Sequence, residues 1–110
     1  PGLLDLAGPV LRGLSVRPAP VRAGRRARLS LTLNEPATLT LTVLRAATRN
    51  RRVRWVSVRT LGARGVAGRN VLRLRRLQRA GRHRVIVRAR DAAGNRSPSR
   101  SVGFRVVSSE

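Results

Sequence analysis

Ala27-Arg28-Leu29-Ser30-Leu31-Thr32-Leu33 and, after a break at Asn34-Glu35-Pro36, Ala37-Thr38-Leu39-Thr40-Leu41-Thr42-Val43 decide the fold. Both runs alternate apolar and polar residues without a fault. Successive side chains of an extended strand point to opposite faces, so a period of two marks a strand with one buried and one wet face. Leu29, Leu31 and Leu33 share one face, and three threonines oppose Leu39, Leu41 and Val43 in the second run. Pro36 separates the runs because it has no N–H to give a ladder.

The same period recurs outward in both directions. Residues 53–61 (VRWVSVRTL) are rich in β-branched residues, and a regular strand there turns Trp55 inward. Residues 71–74 form a short strand. Residues 82–91 (RHRVIVRARD) place His83, Val85, Val87 and Ala89 on one face and Arg82, Arg84, Arg88 and Arg90 on the other. Residues 101–107 point Val102, Phe104 and Val106 inward, and residues 10–16 (VLRGLSV) open the series before Pro18 and Pro20. Residues 45–52 (RAATRNRR) read as a basic hairpin tip, and 61–70 (LGARGVAGRN), with three glycines, as a crossing between sheets. No long segment keeps a helical period. Seven short strands punctuated by Gly, Pro and Asn in a chain of 110 residues predict an all-β, seven-stranded antiparallel immunoglobulin-like (fibronectin III-like) β-sandwich over residues 10–107. Residues 108–110 read as a tail. Residues 1–9 read as a leader or linker whose Leu3, Leu4 and Leu6 pair with something outside the core, a neighbouring protein or a second copy. The chain opens on Pro1 rather than Met, in keeping with a processed or excised piece.

Composition narrows the function. With 41% hydrophobic residues the chain carries enough apolar surface to fold despite its charge. It has no cysteine, which excludes disulfides, thiolate metal sites and cysteine nucleophiles. No apolar run approaches the about 18 residues of a membrane helix, and no signal peptide opens the chain. Basic residues number 25 against 4 acidic ones, a formal net charge of +21, and every basic residue is an arginine. Lys, Tyr and Met are absent, so GC-rich coding accounts for much of the arginine preference. It leaves the scarcity of Asp and Glu unexplained, and that asymmetry is the part of the charge that points to function.

Residues 80–97 (AGRHRVIVRARDAAGNRS) resemble the penultimate strand and following turn of bacterial immunoglobulin-like repeats, a family close to the fibronectin type III-like modules of secreted and cell-surface proteins. Gly68-Arg69-Asn70 before a strand, and Gly13-Leu14-Ser15-Val16-Arg17-Pro18 followed by Arg22-Ala23-Gly24, extend the resemblance over residues 10–107. It implies an extracellular or cell-surface structural or adhesion module. The family usually has tyrosine where His83 stands, tied to nearby backbone, and the antibody-type Cys–Trp–Cys set is missing around Trp55.

No catalytic constellation emerges. His83 is the sole histidine, it falls on an inward strand position, and Asp5, Glu35, Asp91 and Glu110 are the only carboxylates to support it. Enzymatic activity, a cofactor and a metal are not expected. Asp91 and Asn95 bracket Ala92-Ala93-Gly94, where Asp can staple the turn and Gly94 can take a positive φ. One aspartate among arginines is a poor donor set for Ca²⁺. Asn95-Arg96-Ser97 fits an N-glycosylation pattern, most simply by chance. Trp55, His83, Asp91, Gly94, Asn95 and Phe104 are therefore read as core and turn residues. The candidate contacts for an anionic polymer are Arg82, Arg84, Arg88, Arg90 and, if the last strand lies alongside, Arg105, because guanidinium forks match phosphate and carboxylate. Arg28, Arg73 and Arg75 fall on the opposite sheet. Charge on both faces and aromatics turned inward speak against dedicated nucleic-acid recognition, which interleaves basic and stacking groups. A structural or adhesion role with an affinity for anionic partners leads. A subunit of an extracellular filament or surface layer, and a non-specific nucleic-acid-binding protein, are the rivals.

Overall fold

The computed structural model describes residues 8–108, and all regular structure in it is extended. Eight strands follow in order: β1 (Leu11–Arg17), β2 (Val21–Arg22), β3 (Ala27–Leu33), β4 (Ala37–Arg49), β5 (Arg52–Gly65), β6 (Gly68–Leu74), β7 (Gly81–Arg90) and β8 (Arg100–Val107). They form two sheets, β1-β3-β6 and β2-β8-β7-β4-β5. No helix among the described residues is long and apolar enough to cross a membrane.

The two alternating runs are the inner strands of the two sheets. Leu29, Leu31 and Leu33 of β3 meet Leu39, Leu41 and Val43 of β4, and Val85, Val87 and Ala89 of β7 complete the layer. These side chains are essentially removed from water. Burying a leucine or valine is worth about 1.5–3 kcal/mol, so this seam is the largest source of stability. Val21, Leu77 and Val106 close one end.

The seven-stranded antiparallel expectation is corrected in one respect. The added strand is β2, which pairs in parallel with β8 through Val21↔Val106 and Arg22↔Val107. Two residues cannot display a period, so only the fully buried Val21 marks it. Other expectations are redrawn by length. Residues 61–65 belong to β5, which leaves Val66 and Ala67 as the crossing between sheets. Asn70 staples that crossing: its Oδ1 accepts from Val66 N–H at 2.9 Å, and its Nδ2 donates to the Val66 and Gly68 carbonyls at 2.9 and 3.1 Å. The basic tip contracts to Asn50-Arg51, both in the left-handed region (φ 52° and 64°), between the Arg49↔Arg52 pair. Two central residues with positive φ make a type I′ turn, whose twist suits a tight hairpin.

The β4–β5 hairpin therefore outgrows the sandwich. β7 pairs with β4 only from Thr38 to Arg45, and beyond that point β4 and β5 run on together as a two-stranded arm. The described chain measures 56 × 29 × 18 Å. The leader expectation falls largely on residues outside those described. Within them, Pro9 is buried, and Val10 N–H donates to Asn34 Oδ1 at 2.7 Å.

Candidate functional site

The outward face of the five-stranded sheet carries the candidate site. β7 presents Arg82, Arg84, Arg88 and Arg90 there, since Val85, Val87 and Ala89 take the core side. β8 lies alongside with Arg105 directly opposite Arg82, so the last strand does join the arginine face. Like charges directly opposite in an antiparallel pair destabilise it. Among the described residues the only carboxylates are Glu35 and Asp91, neither of them on this face.

Trp55 joins that face, which reverses its inward assignment. The ladder between β4 and β5 reads Val43↔Arg59 and then Leu44↔Ser57, so Val58 is an extra residue in β5. A bulge of one residue switches every later side chain to the other face. Trp55 is thus set opposite Ala46 on the outward side, half-buried. The small alanine lets the indole reach across β4, and the Arg84 guanidinium lies over it at 4.4 Å from the ring centre, with Arg82 at 5.9 Å. Each such contact is worth about 0.5–1 kcal/mol at an exposed site. Arg84 also faces Gly103 across the β7–β8 ladder. Because glycine has no side chain, a hollow of about 370 Å³ opens there, walled by Trp55, Arg82, Arg84, Ser101 and Arg105. Arginine and an aromatic ring thus line one depression, an arrangement suited to an anionic chain with flat groups.

The remaining singled-out residues serve the framework. His83 is 2% exposed, stacks on Phe104 with ring centres 5.5 Å apart, and bonds the Gly81 carbonyl through Nδ1 at 3.1 Å. Burial lowers its pKa below the ordinary value and nearby Arg45 adds to this, while the Gly81 bond works the other way. Phe104 is partly buried against the core. Asp91 staples its turn: Oδ1 accepts from Asn95 N–H at 2.8 Å, Oδ2 from the Asn95 amide at 3.2 Å, and its carbonyl from Gly94 N–H at 3.1 Å. Gly94 has φ +91°, which a side chain would strain. Desolvation works to raise the Asp91 pKa, but the bonds from Asn95 prevail and hold it below the ordinary value. Desolvation and the Asp91 charge raise that of Glu35. Ser97, the hydroxyl residue of the glycosylation pattern, is buried and accepts from Ala89 N–H at 2.9 Å. Among the described residues no group of three or more His, Cys, Asp or Glu is placed to hold a metal.

The chain's likeness to known proteins is one of shape. No protein-family model matches the sequence, and comparison with curated proteins finds no match. Among solved structures, β-glucosidase from Listeria innocua in complex with gluconolactone superposes with a TM-score of 0.55 at 13% identity, over 89% of this chain and 16% of that one. Spo0M, a sporulation control protein from Bacillus subtilis, gives 0.53 at 6% identity over 93% of this chain and 49% of that one. The alkylpurine DNA glycosylase AlkC from Pseudomonas fluorescens, bound to DNA containing an abasic site analog, gives 0.50 at 19% identity over 96% and 33%. The chain spans half or less of the length of each. At such identities the agreement concerns the fold alone.

Proposed function

We propose that this chain is a non-catalytic binding module of the immunoglobulin-like, fibronectin III-like kind, from a secreted or cell-surface bacterial protein, that holds an anionic polymer on the outward face of its five-stranded sheet. The observation that carries the reading is the meeting of Trp55 with Arg84 and Arg82 beside the hollow over Gly103. The arginines supply forked donors for sulfate, phosphate or carboxylate, and the ring supplies a flat apolar surface. The setting and the structural or adhesion role rest on the resemblance of residues 80–97. The absence of catalysis is supported by His83, whose ring is spent on the core.

Retention on immobilised heparin tests the reading. Binding falls steeply with salt as counterions are released. Arg84→Ala with Arg88→Ala elutes the protein at clearly lower salt, and Trp55→Ala lowers it further. Unchanged elution of both variants refutes the choice of face. Trp55 also favours a second reading, non-specific binding of single-stranded nucleic acid. Its outward placement removes the objection that both aromatics face inward, and stacking of a base on an aromatic ring is worth about 1–3 kcal/mol. Tighter binding to a single-stranded oligonucleotide than to heparin at equal salt, lost in Trp55→Ala, selects that reading.

A further inference from the structure

A second concentration of arginine lies away from the sheet face, where the end of β6 meets β5. Arg26, Arg59, Arg73, Arg75 and Arg76, with Leu74, line a cleft of about 610 Å³. They come from three separate segments, and β5 and β6 are edge strands of different sheets, so the cleft lies along the open side of the sandwich. The ladder sharpens the crowding: Arg73 lies opposite Arg28, and Arg28 opposite Arg17, a row of three arginines across the smaller sheet. Glu35 and Asp91 stand at the other end, where β3 gives way to β4 and β7 stops.

Arg59 distinguishes this cleft from a solvated basic patch. It occupies an inward position on β5, paired with Val43, and is half-buried. Its Nη1 is buried with no hydrogen-bond partner, and its Nη2 reaches the Arg76 carbonyl only at 3.5 Å. A bond of that length is at the limit of the interaction and does not fix the guanidinium. A charged donor left unmatched away from water is costly, and native structures seldom keep one without a reason.

We infer that this cleft is a binding site for linked phosphates, with Arg59 as its inner anchor. The cavity is roomy enough for a short run of phosphoryl groups, and its lining offers only cationic forks and one leucine. Such a lining favours the ligand with the highest density of negative oxygens, and guanidinium matches phosphate with two parallel bonds. A phosphate oxygen supplies the acceptor that Arg59 Nη1 lacks and screens the repulsion between neighbouring arginines. This site is separate from the sheet face and does not depend on the function proposed for it.

The test is titration of the intact chain with inorganic pyrophosphate and tripolyphosphate at constant ionic strength, followed by calorimetry and by thermal unfolding. The expected result is saturable binding of one equivalent with a rise in Tm, weakened about tenfold or more by Arg59→Gln, as for loss of a charge-assisted bond. Arg75→Gln, on an exposed side chain, gives a comparable loss without threatening the fold, and Trp55→Ala leaves the titration unchanged. Three results overturn the inference: no saturable binding, an equal response to sulfate at matched ionic strength, or binding indifferent to both arginine variants. An oligonucleotide that binds through Arg59 while pyrophosphate does not also overturns it, by assigning the cleft to a nucleic-acid backbone.

Discussion

The two halves of the β4–β5 hairpin are built from one pair of strands yet obey different rules. In the half from Ala37 to Val43, every second residue is buried against β3 and β7, and the partner strand offers Leu61, Ala63 and Gly65 on the same side. In the half from Leu44 outward, nothing on β4 is fully buried, Val53 is 55% exposed and Val56 is 43% exposed. The first half is held by the core; the second, past the Leu44 and Arg45 pairs with β7, is held by its own ladder and by Trp55 under Arg84. An isolated two-stranded ribbon is marginal in water, so the arm depends on the sandwich but contributes little to it. What it contributes is position: it carries an aromatic ring beyond the core and lays it over the arginines of β7.

The largest expected effect breaks the comparison from the core side. Leu41→Ala leaves a cavity in the central seam and is expected to cost about 2–5 kcal/mol, whereas Val53→Ala on the arm should stay within about 0.5 kcal/mol. Urea unfolding of the two variants checks this, and similar losses would mean that the arm is part of the cooperative core.

A smaller effect concerns the junction. His83 lies opposite Arg45, the last β4 residue that β7 pairs, so it marks where the arm begins. Its folded-state pKa is depressed, chiefly by burial. The unfolded chain therefore takes up the proton first, and stability rises with pH where it does so. The His83 contribution is complete above the ordinary value of 6.5 and is lost as pH falls from there through the folded-state pKa. The urea midpoint should drop between neutral and mildly acidic pH, and His83→Phe should flatten that slope. A slope that persists in His83→Phe assigns the acid sensitivity elsewhere.

The tip gives a smaller effect still. Arg51 holds φ 64° in a turn that prefers glycine at its second central position. Arg51→Gly should stabilise the arm by up to about 1 kcal/mol, since a left-handed conformation costs most L-residues about that much. The gain should appear as slower amide exchange in residues 45–56, with the global urea midpoint almost unmoved. A matching shift of the midpoint would show that arm and sandwich unfold together.

These differences explain what was legible in the sequence. The inward leucines of β3 and β4, the inward valines of β7 and its outward arginines are all read correctly from a period of two, because each strand lies in a regular ladder with one buried face. β2 escaped because two residues carry no period. The cleft around Arg59 escaped because its arginines come from three segments that only the pairing of the sheets brings together. Trp55 escaped for a subtler reason. Read without a fault, residues 53–61 set Trp55, Arg59 and Leu61 on one face, and nothing in VRWVSVRTL marks an extra residue. The fault exists only between strands, where Val43↔Arg59 is followed by Leu44↔Ser57.

The smallest expected effect comes from removing the bulge itself. Deleting Val58 removes the extra residue and leaves Ser57 next to Arg59 in sequence, as their partners Leu44 and Val43 already are. The ladder then runs without interruption, Arg59 stays inward, and Trp55 stays opposite Ala46 on the arginine face. Heparin retention of the deletion variant should therefore equal that of the parent chain, with tryptophan fluorescence little changed. In a hairpin without the bulge, the same deletion shifts residues 53–57 by one position and throws Trp55 from one face to the other. A rise in retention on deletion, from a parent chain indifferent to Trp55→Ala, would then show that the ring began on the inward face. Because the two registers predict unchanged and raised retention, one deletion tests the placement of Trp55.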